Sequence, residues 1–345
     1  MTSNVLPIPA PGTIAHACNP TTPGWFAVAS RSEWPAAGQV KSIHWMGRRW
    51  AFFQTERGQL GLLPPTCPHM GADMTVRGKV VGDTLQCPFH GFQFDASGAC
   101  RKAGNSNPAC GTWNMEAPLL HRDGDVLFAW NEGHHRTKAH WTPVTVAAGD
   151  WTPWTFHAWN DRTITPFNVA ENGVDLLHFS ELHGFHDARM EAPPQVEQHV
   201  MKLSYSAYRK GRIGRHAGVH VTFDIQQQGL GLALVVTTVQ ELGLRSRHLI
   251  MTTPTVDGRS TLRVASSVDR AFRARNVHAL ATLVPKRLLT QLVQAAVHKG
   301  FTQEVAEDLP IWENRDMSVT PKPAAGDGPV MLYRKWAAAL NQPPS

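Results

Sequence analysis

Cys67-Pro-His69, closed by Met70-Gly71, and Cys87-Pro-Phe-His90-Gly91, separated from His69 by 17 residues, decide how this chain is read. Each stretch brings one thiolate and one imidazole and closes on a glycine turn. Two Cys and two His suit a tetrahedral zinc, so the ligand set alone leaves the metal open. The way the set is split carries more information. A [2Fe–2S] centre with two thiolates on one iron and two imidazoles on the other takes one Cys and one His from each of two hairpin tips.

The C-x-H…C-x-x-H pattern resembles the Rieske family over residues 24–132. The resemblance implies a cluster held by Cys67, His69, Cys87 and His90. Rieske proteins of respiratory and photosynthetic complexes add one cysteine per loop and join the two as a disulfide; the matching positions here are Ala72 and Phe89. The centre therefore resembles the low-potential kind of oxygenases and their ferredoxins, in the lower part of a range of about −150 to +300 mV. Cys18, Cys100 and Cys110 remain. Five cysteines in 345 residues, two of them assigned to metal, leave no disulfide framework and fit a reducing compartment. Cys100 and Cys110 read as small buried hydrophobes.

More than half of the chain lies outside the cluster segment, and two domains are expected. A hydrophobic content of 42% and a charged content of 17% suit a globular enzyme with a sizeable core. No apolar run reaches the roughly 18 residues of a membrane span; the longest, around 230–239, has the length of a strand. The first residues lack a basic segment followed by an apolar one, so no signal peptide is expected and the protein reads as cytoplasmic. The net charge of +6 is scattered and gives no nucleic-acid footprint. The expected organisation is a proline-containing arm over 1–23, a small antiparallel β domain over 24–132, a linker over 133–154 and a second domain over 155–345.

A second constellation stands at Asn172-Gly-Val-Asp175-Leu-Leu-His178-Phe-Ser-Glu-Leu-His183. Asp175 and His178, three apart, share a helix face. His178 and His183, five apart, sit about 140° from each other on a continuous helix. They converge on one metal only if the helix ends between them, and His183-Gly184 offers the exit. Two His and one carboxylate suit a non-haem Fe(II). The plain alternative is an amphipathic helix with two ordinary histidines, and 18 His in the chain make chance pairs common.

The N-x-x-D-x-x-H-x-x-x-x-H spacing resembles the iron motif of Rieske oxygenase catalytic domains. That resemblance implies His178 and His183 as iron ligands. It also implies Asp175 as the residue linking His90 of a neighbouring subunit of a homotrimer to His178. For the third ligand, Asp308-x-x-Ile-Trp312 resembles the ligand-bearing motif of steroid-type members, with Glu304 as the second candidate; Glu307 and Glu313 read as solvated charges. Pro310 is expected to end the preceding helix near Asp308. Asn172 either orients a ligand and shapes oxygen access or caps a helix.

Strands are expected near 197–208, 218–228, 231–241, 245–253 and 260–269, followed by a helix over 286–307 with apolar Leu288, Leu289, Leu292, Val293, Ala296 and Val297. This α+β pattern matches the helix-grip (START-like) catalytic domain of the family. The tail from Asp327 to Trp336, with Arg334 and Lys335, is similar to that of 3-ketosteroid 9α-hydroxylase oxygenases. Glu171-Asn172-Gly173-x-Asp175 looks closer to the cholesterol 7-desaturase group, whose animal members resemble anchored proteins; no anchor is visible here. The resemblance implies a terminal oxygenase that uses O₂ to hydroxylate or desaturate a bulky apolar, sterol- or steroid-like substrate. Oxidative cyclisation or dealkylation of an aromatic or alkaloid compound uses the same framework. Without a G-x-G-x-x-G fingerprint, electrons from NAD(P)H must come through a separate reductase, directly or by way of a ferredoxin. Arg77, Lys79, Arg101 and Lys102 are candidates for docking it. Pocket candidates are Phe167, Val169, Phe179, Leu182, Phe185, Leu232, Leu234 and Val236. A non-catalytic electron carrier would leave Asp175, His178, His183 and Asp308 without a task; a zinc module is the remaining class.

Overall fold

The computed structural model describes residues 22–104, 110, 113–146, 148–213, 216–277 and 279–342. The expected N-terminal arm, but for its last two residues, and Cys18 lie outside them. The chain forms two compact units, one of Phe26–Asn131 with Pro254–Asp257 and one of the remainder.

The smaller unit holds three antiparallel sheets. β1 (Gly24–Ser30), β10 (Val126–Asn131) and β9 (Leu120–Asp123) form one; β2 (Val40–Trp45), β3 (Arg48–Gln54) and β4 (Leu60–Leu63) form the second. The third runs β5 (Lys79–Val81), β6 (Thr84–Gln86), β7 (Gln93–Asp95) and β8 (Cys100–Lys102). Because successive strand residues face opposite sides, β3 feeds two cores. Trp50 and Phe52 join Phe26, Val28, Leu62 and Leu127. Ala51 and Phe53 join Leu63, Met74, Leu85, Phe94, Cys67 and Cys87. The cysteine loops thus grow out of an apolar floor. Cys100 and Cys110 are joined as a disulfide, which corrects their reading as unpaired hydrophobes. A spacing of ten residues carries no pairing signal.

The larger unit is built on an eight-stranded antiparallel sheet. Its order is β11 (Thr155–Arg162), β18 (Ser260–Val268), β17 (Leu244–Pro254), β16 (Leu232–Val239), β15 (His216–Gln228), β14 (Val200–Ile213) and β12 (Phe185–Met190), with β13 (Gln195–Glu197) on β14. β15 shows why the sheet is one-sided. Val219, Val221, Phe223 and Ile225 are buried, while the intervening His220, Thr222 and Asp224 are not. Two short helices, α1 (Pro166–Asn172) and α2 (Leu177–Glu181), lie between β11 and β12. The long α3 (Lys286–Asn314) packs on β18 and β11, and α4 (Val330–Ala339) packs against α1. Among the described residues no helix is long and apolar enough to cross a membrane.

Two expectations for α3 are corrected. Pro310 lies inside the helix, although an interior proline costs roughly 3 kcal/mol. The flanking Leu309 and Trp312 are buried with Leu262, Val264 and Val305, and that burial carries the helix past the proline. The buried face is also narrower than the apolar spacing implies. Leu289 and Val293 are buried, but Leu288 and Leu292 face solvent.

Candidate metal centres

The two cysteine loops share one backbone scheme. The Cys67 N–H donates to the Ala72 carbonyl and its own carbonyl accepts from Gly71; Cys87 does the same with Phe92 and Gly91. Gly71 and Gly91 have φ of 75° and 78°, a left-handed turn that other residues adopt only at a cost. Each loop folds back so that its cysteine lies in the core and its histidine near the surface. The Nδ1 atoms of His69 and His90 meet at 3.2 Å, and the Cys67 and Cys87 thiols face each other. Trp113 stacks on His69 at 5.4 Å, and Phe92 flanks the same ring at 4.7 Å. Burial pushes the Cys67 thiol up to about 11, and the facing Cys87 thiol adds to the rise. Two thiolates so placed need a cationic partner. A buried sulfur side and a half-exposed nitrogen side match a cluster split into thiolate-bound and imidazole-bound irons.

The second group is assembled from two distant segments. Thr165 caps α1 by accepting from the Asn168 N–H, and the Asn168 carboxamide oxygen accepts from the Thr165 N–H in return. Asn172 is therefore the last residue of α1, which excludes its role as a helix cap. After Gly173 the chain turns, and the Asp175 carboxylate accepts the N–H groups of Leu177 and His178 at the start of α2. α2 ends at Glu181, so His183 lies beyond the helix and faces His178, and Gly184, at φ 66°, then turns the chain into β12. The ring centroids lie 5.3 Å apart. Asp308 arrives from α3, and the ligand atoms of His178, His183 and Asp308 all lie within 4.8 Å of one another.

Both rings are held from behind. His178 donates from Nδ1 to the Asp175 carbonyl at 2.6 Å, and His183 donates from Nδ1 to a Glu307 carboxylate oxygen at 3.1 Å. Each bond fixes the proton on Nδ1 and leaves Nε2 as the donor atom for a metal. The Asn172 amide reaches His178 Nε2 at 3.2 Å, and Asp308 lies 3.4 Å from His183 Nε2. Burial holds His178 below the ordinary histidine value, outweighing Asp308 and Asp175. Burial also disfavours a charged His183, but Asp308, Glu307 and Glu304 outweigh it and raise that group.

The other acidic residues of α3 sort cleanly. Glu304, the second candidate ligand, is engaged by Arg209. Glu307 is not a free solvated charge but the partner of His183, and Glu313 pairs with Arg162 at 2.8 Å. The Glu171 and Arg334 of the two short subgroup motifs turn out to be partners. Arg334 grips Glu171 with two bonds of 2.5 and 2.9 Å, and Arg315 adds a third of 2.5 Å. Glu171 and Arg334 are both buried, so this clasp fixes the end of α1 beside Asn172.

A cavity of about 460 Å³ opens at His178, His183 and Asp308 and runs between the sheet and α3. Its lining is largely apolar, with Val221, Phe223, Val235 and Phe301 among the walls. Val169, Phe179 and Phe185 line it as expected from the sequence, whereas Phe167 packs on Tyr333 and Leu182 does not line it. On β16 the lining residues are Ala233, Val235, Thr237 and Val239, which corrects the choice of Leu232, Leu234 and Val236. A one-residue change of parity moves a strand's side chains to the other face. Sequence reasoning also missed Tyr205, whose fully buried hydroxyl donates to the Gly173 carbonyl at 3.0 Å and braces the turn between α1 and α2.

Comparisons with known proteins agree with this architecture. Residues 24–114 match the Rieske [2Fe-2S] domain, and residues 129–339 match the 3-ketosteroid 9alpha-hydroxylase C-terminal domain. The chain is 23% identical over 334 residues to a cholesterol 7-desaturase of Hemicentrotus pulcherrimus, covering 91% of this chain and 68% of that protein. It is 22% identical over 345 residues to the oxygenase component of a Rhodococcus rhodochrous 3-ketosteroid-9-alpha-monooxygenase, covering 94% and 84%. Among solved structures, apo dicamba monooxygenase superposes with a TM-score of 0.65 at 15% identity, covering 93% of this chain and 97% of that one. The NdmA QL mutant of Pseudomonas putida CBB5 with theobromine gives 0.64 at 16% identity, covering 91% and 88%.

Proposed function

This chain belongs to the Rieske oxygenases that carry a 3-ketosteroid 9alpha-hydroxylase C-terminal domain, and from that premise we propose that it hydroxylates or desaturates a bulky apolar substrate of sterol or steroid type. The observation that carries the reading is the apolar cavity of about 460 Å³ ending at His178, His183 and Asp308. A volume of that size suits a rigid multi-ring compound.

Cys67, His69, Cys87 and His90 would hold a [2Fe–2S] cluster that would supply single electrons, and His178, His183 and Asp308 would hold an Fe(II) that would supply O₂ chemistry. The protein's own work is positional. The Asp175 carbonyl and Glu307 hold the two rings so that both Nε2 atoms face one point. Asn172 sits at that point and orients what binds there. Phe179, Phe223 and Val305 keep water away and aim one C–H bond of the substrate at the site. The Asp175 side chain, which caps α2 with one oxygen, is assigned to hold the His90 ring of a neighbouring subunit in a homotrimer. Electrons come from NAD(P)H through a separate reductase.

The test is turnover. Protein loaded with iron and sulfide, given Fe(II), a surrogate reductase, NAD(P)H and O₂, is screened against sterols, steroids and polycyclic aromatics. Oxygenated or desaturated sterol or steroid product is expected. Product from aromatic compounds alone would move the substrate class, and reductase-driven cluster reduction with no product at all would leave an electron carrier.

A further inference from the structure

One wall of the apolar cavity carries polar groups that the iron chemistry does not use. β17 turns Leu244, Ser246, His248, Ile250 and Thr252 toward the cavity. Ser246 and His248 are both buried, at 5% and 4% exposure, in a cavity whose lining is largely apolar. They are joined by a chain of hydrogen bonds. Ser246 Oγ meets His248 Nε2 at 3.0 Å, His248 Nδ1 meets Ser266 Oγ at 3.0 Å, and Ser266 Oγ meets His298 Nδ1 at 3.1 Å. Phe301 of α3 packs on the His248 ring at 4.1 Å. Thr237 lies directly opposite Ser246 in the β16–β17 register and lines the same cavity.

The place of these groups along the cavity is set by their neighbours. Leu244 packs with Leu289 and Val293, whereas Ile250 packs with Val305 and Leu309 next to Asp308. Ser246 and His248 therefore stand between the apolar end at Leu289 and Val293 and the end at Asp308. Phe301, the partner of His248, precedes Asp308 by seven residues, which on a helix is about 10 Å along the axis.

We propose that Ser246, backed by His248 and flanked by Thr237, is the anchor for one uncharged oxygen, a hydroxyl or a ketone, at the end of the substrate remote from the attacked carbon. The proposal rests on the sterol- or steroid-like reading above and sharpens it. Burial pushes His248 down to about 3, so the ring stays neutral and has one donor and one acceptor nitrogen. With the proton on Nδ1 the ring accepts the Ser246 O–H, and the Ser246 oxygen faces the cavity as an acceptor for a substrate hydroxyl. With the proton on Nε2 the ring donates to Ser246, whose O–H is then free for a ketone. Ser266, placed between two imidazoles, accommodates either polarity. Among the described residues, the charged groups that line the cavity apart from Asp308 are Arg209 and Glu304, and these are paired with each other.

The experiment uses the intact protein and a matched set of one ring skeleton bearing a hydroxyl, a ketone or neither, with affinity read by tryptophan fluorescence and confirmed calorimetrically. Wild-type protein is expected to bind the oxygenated forms at least about tenfold tighter than the deoxygenated one, the loss that leaves a buried polar group unpaired. Ser246→Ala and His248→Phe should erase that preference and leave affinity for the deoxygenated form unchanged. Equal wild-type affinity for all three, or a preference that survives in both variants, overturns the anchor and leaves the substrate class standing. Failure of wild type to bind any of the three sinks the sterol-like reading and the anchor with it.

Discussion

The two candidate metal centres solve the same problem in opposite ways. The four cluster residues come from two short loops in one sheet system, and each loop fixes its own geometry with a Cys–Gly turn and a cysteine carbonyl. The other centre takes two histidines from one irregular segment and its carboxylate from a long helix across the sheet. The first is a property of local backbone. The second exists only when the core of its unit is packed, because the turn of α3 that carries Asp308 is positioned by burying Val305, Leu309 and Trp312 against Ile164, Leu262 and Val264 from distant segments.

The strongest way to break this contrast is to remove one ligand from each centre. Asp308→Ala or His178→Ala should abolish turnover while the cluster keeps its visible and EPR spectrum. Cys87→Ser should lose that spectrum and still bind Fe(II) at the other group. Loss of both metals in either variant would show that the centres do not form separately. A second comparison weakens packing and leaves ligands alone. Trp312→Ala removes a buried side chain at a cost of about 3–5 kcal/mol. Thermal unfolding should show the loss, and Fe(II) affinity should fall while the cluster spectrum is unchanged.

The smallest change sharpens the contrast through one hydrogen bond. Glu307→Gln should lower metal affinity about 10- to 100-fold, with activity restored by excess Fe(II). In metal-free protein, His183 titrates above the ordinary value of about 6.5. Its contribution to stability is complete below that ordinary value and disappears as pH rises through the raised folded value. Glu307→Gln should bring the folded value down and shorten that window from its upper end, as an NMR titration of the ring would show.

The same contrast explains what was legible in the sequence. Cys67, His69, Cys87 and His90 could be read because a loop that fixes its own shape writes its spacing into consecutive residues. His178 and His183 were legible as a motif, but their convergence depends on the helix ending at Glu181, before His183, which the spacing alone does not fix. The Asp308 motif pointed to the right segment of α3, yet the helix runs on through Pro310, because tertiary burial outweighs a local breaker. The work of Glu307 was hidden, since a partly exposed glutamate on a helix gives no sign of which ring it will meet. The cavity face of β16 was misjudged because Leu232–Val239 is apolar on both faces, and only the pairing register decides which side encloses the substrate. Cys100 and Cys110 lacked any spacing signal for the bond they make.

The grip of Arg334 on Glu171 has a practical corollary for anyone shortening this protein. A fragment ended just before α4 would retain every cysteine, histidine and aspartate discussed above. It would nevertheless take both Arg334 bonds from the buried Glu171, one residue from Asn172, and leave that carboxylate to Arg315 alone; breaking a buried ion pair typically costs about 3–5 kcal/mol. α4 thus carries most of the counter-charge for the end of α1, and trimming it would loosen Asn172 beside the candidate metal group.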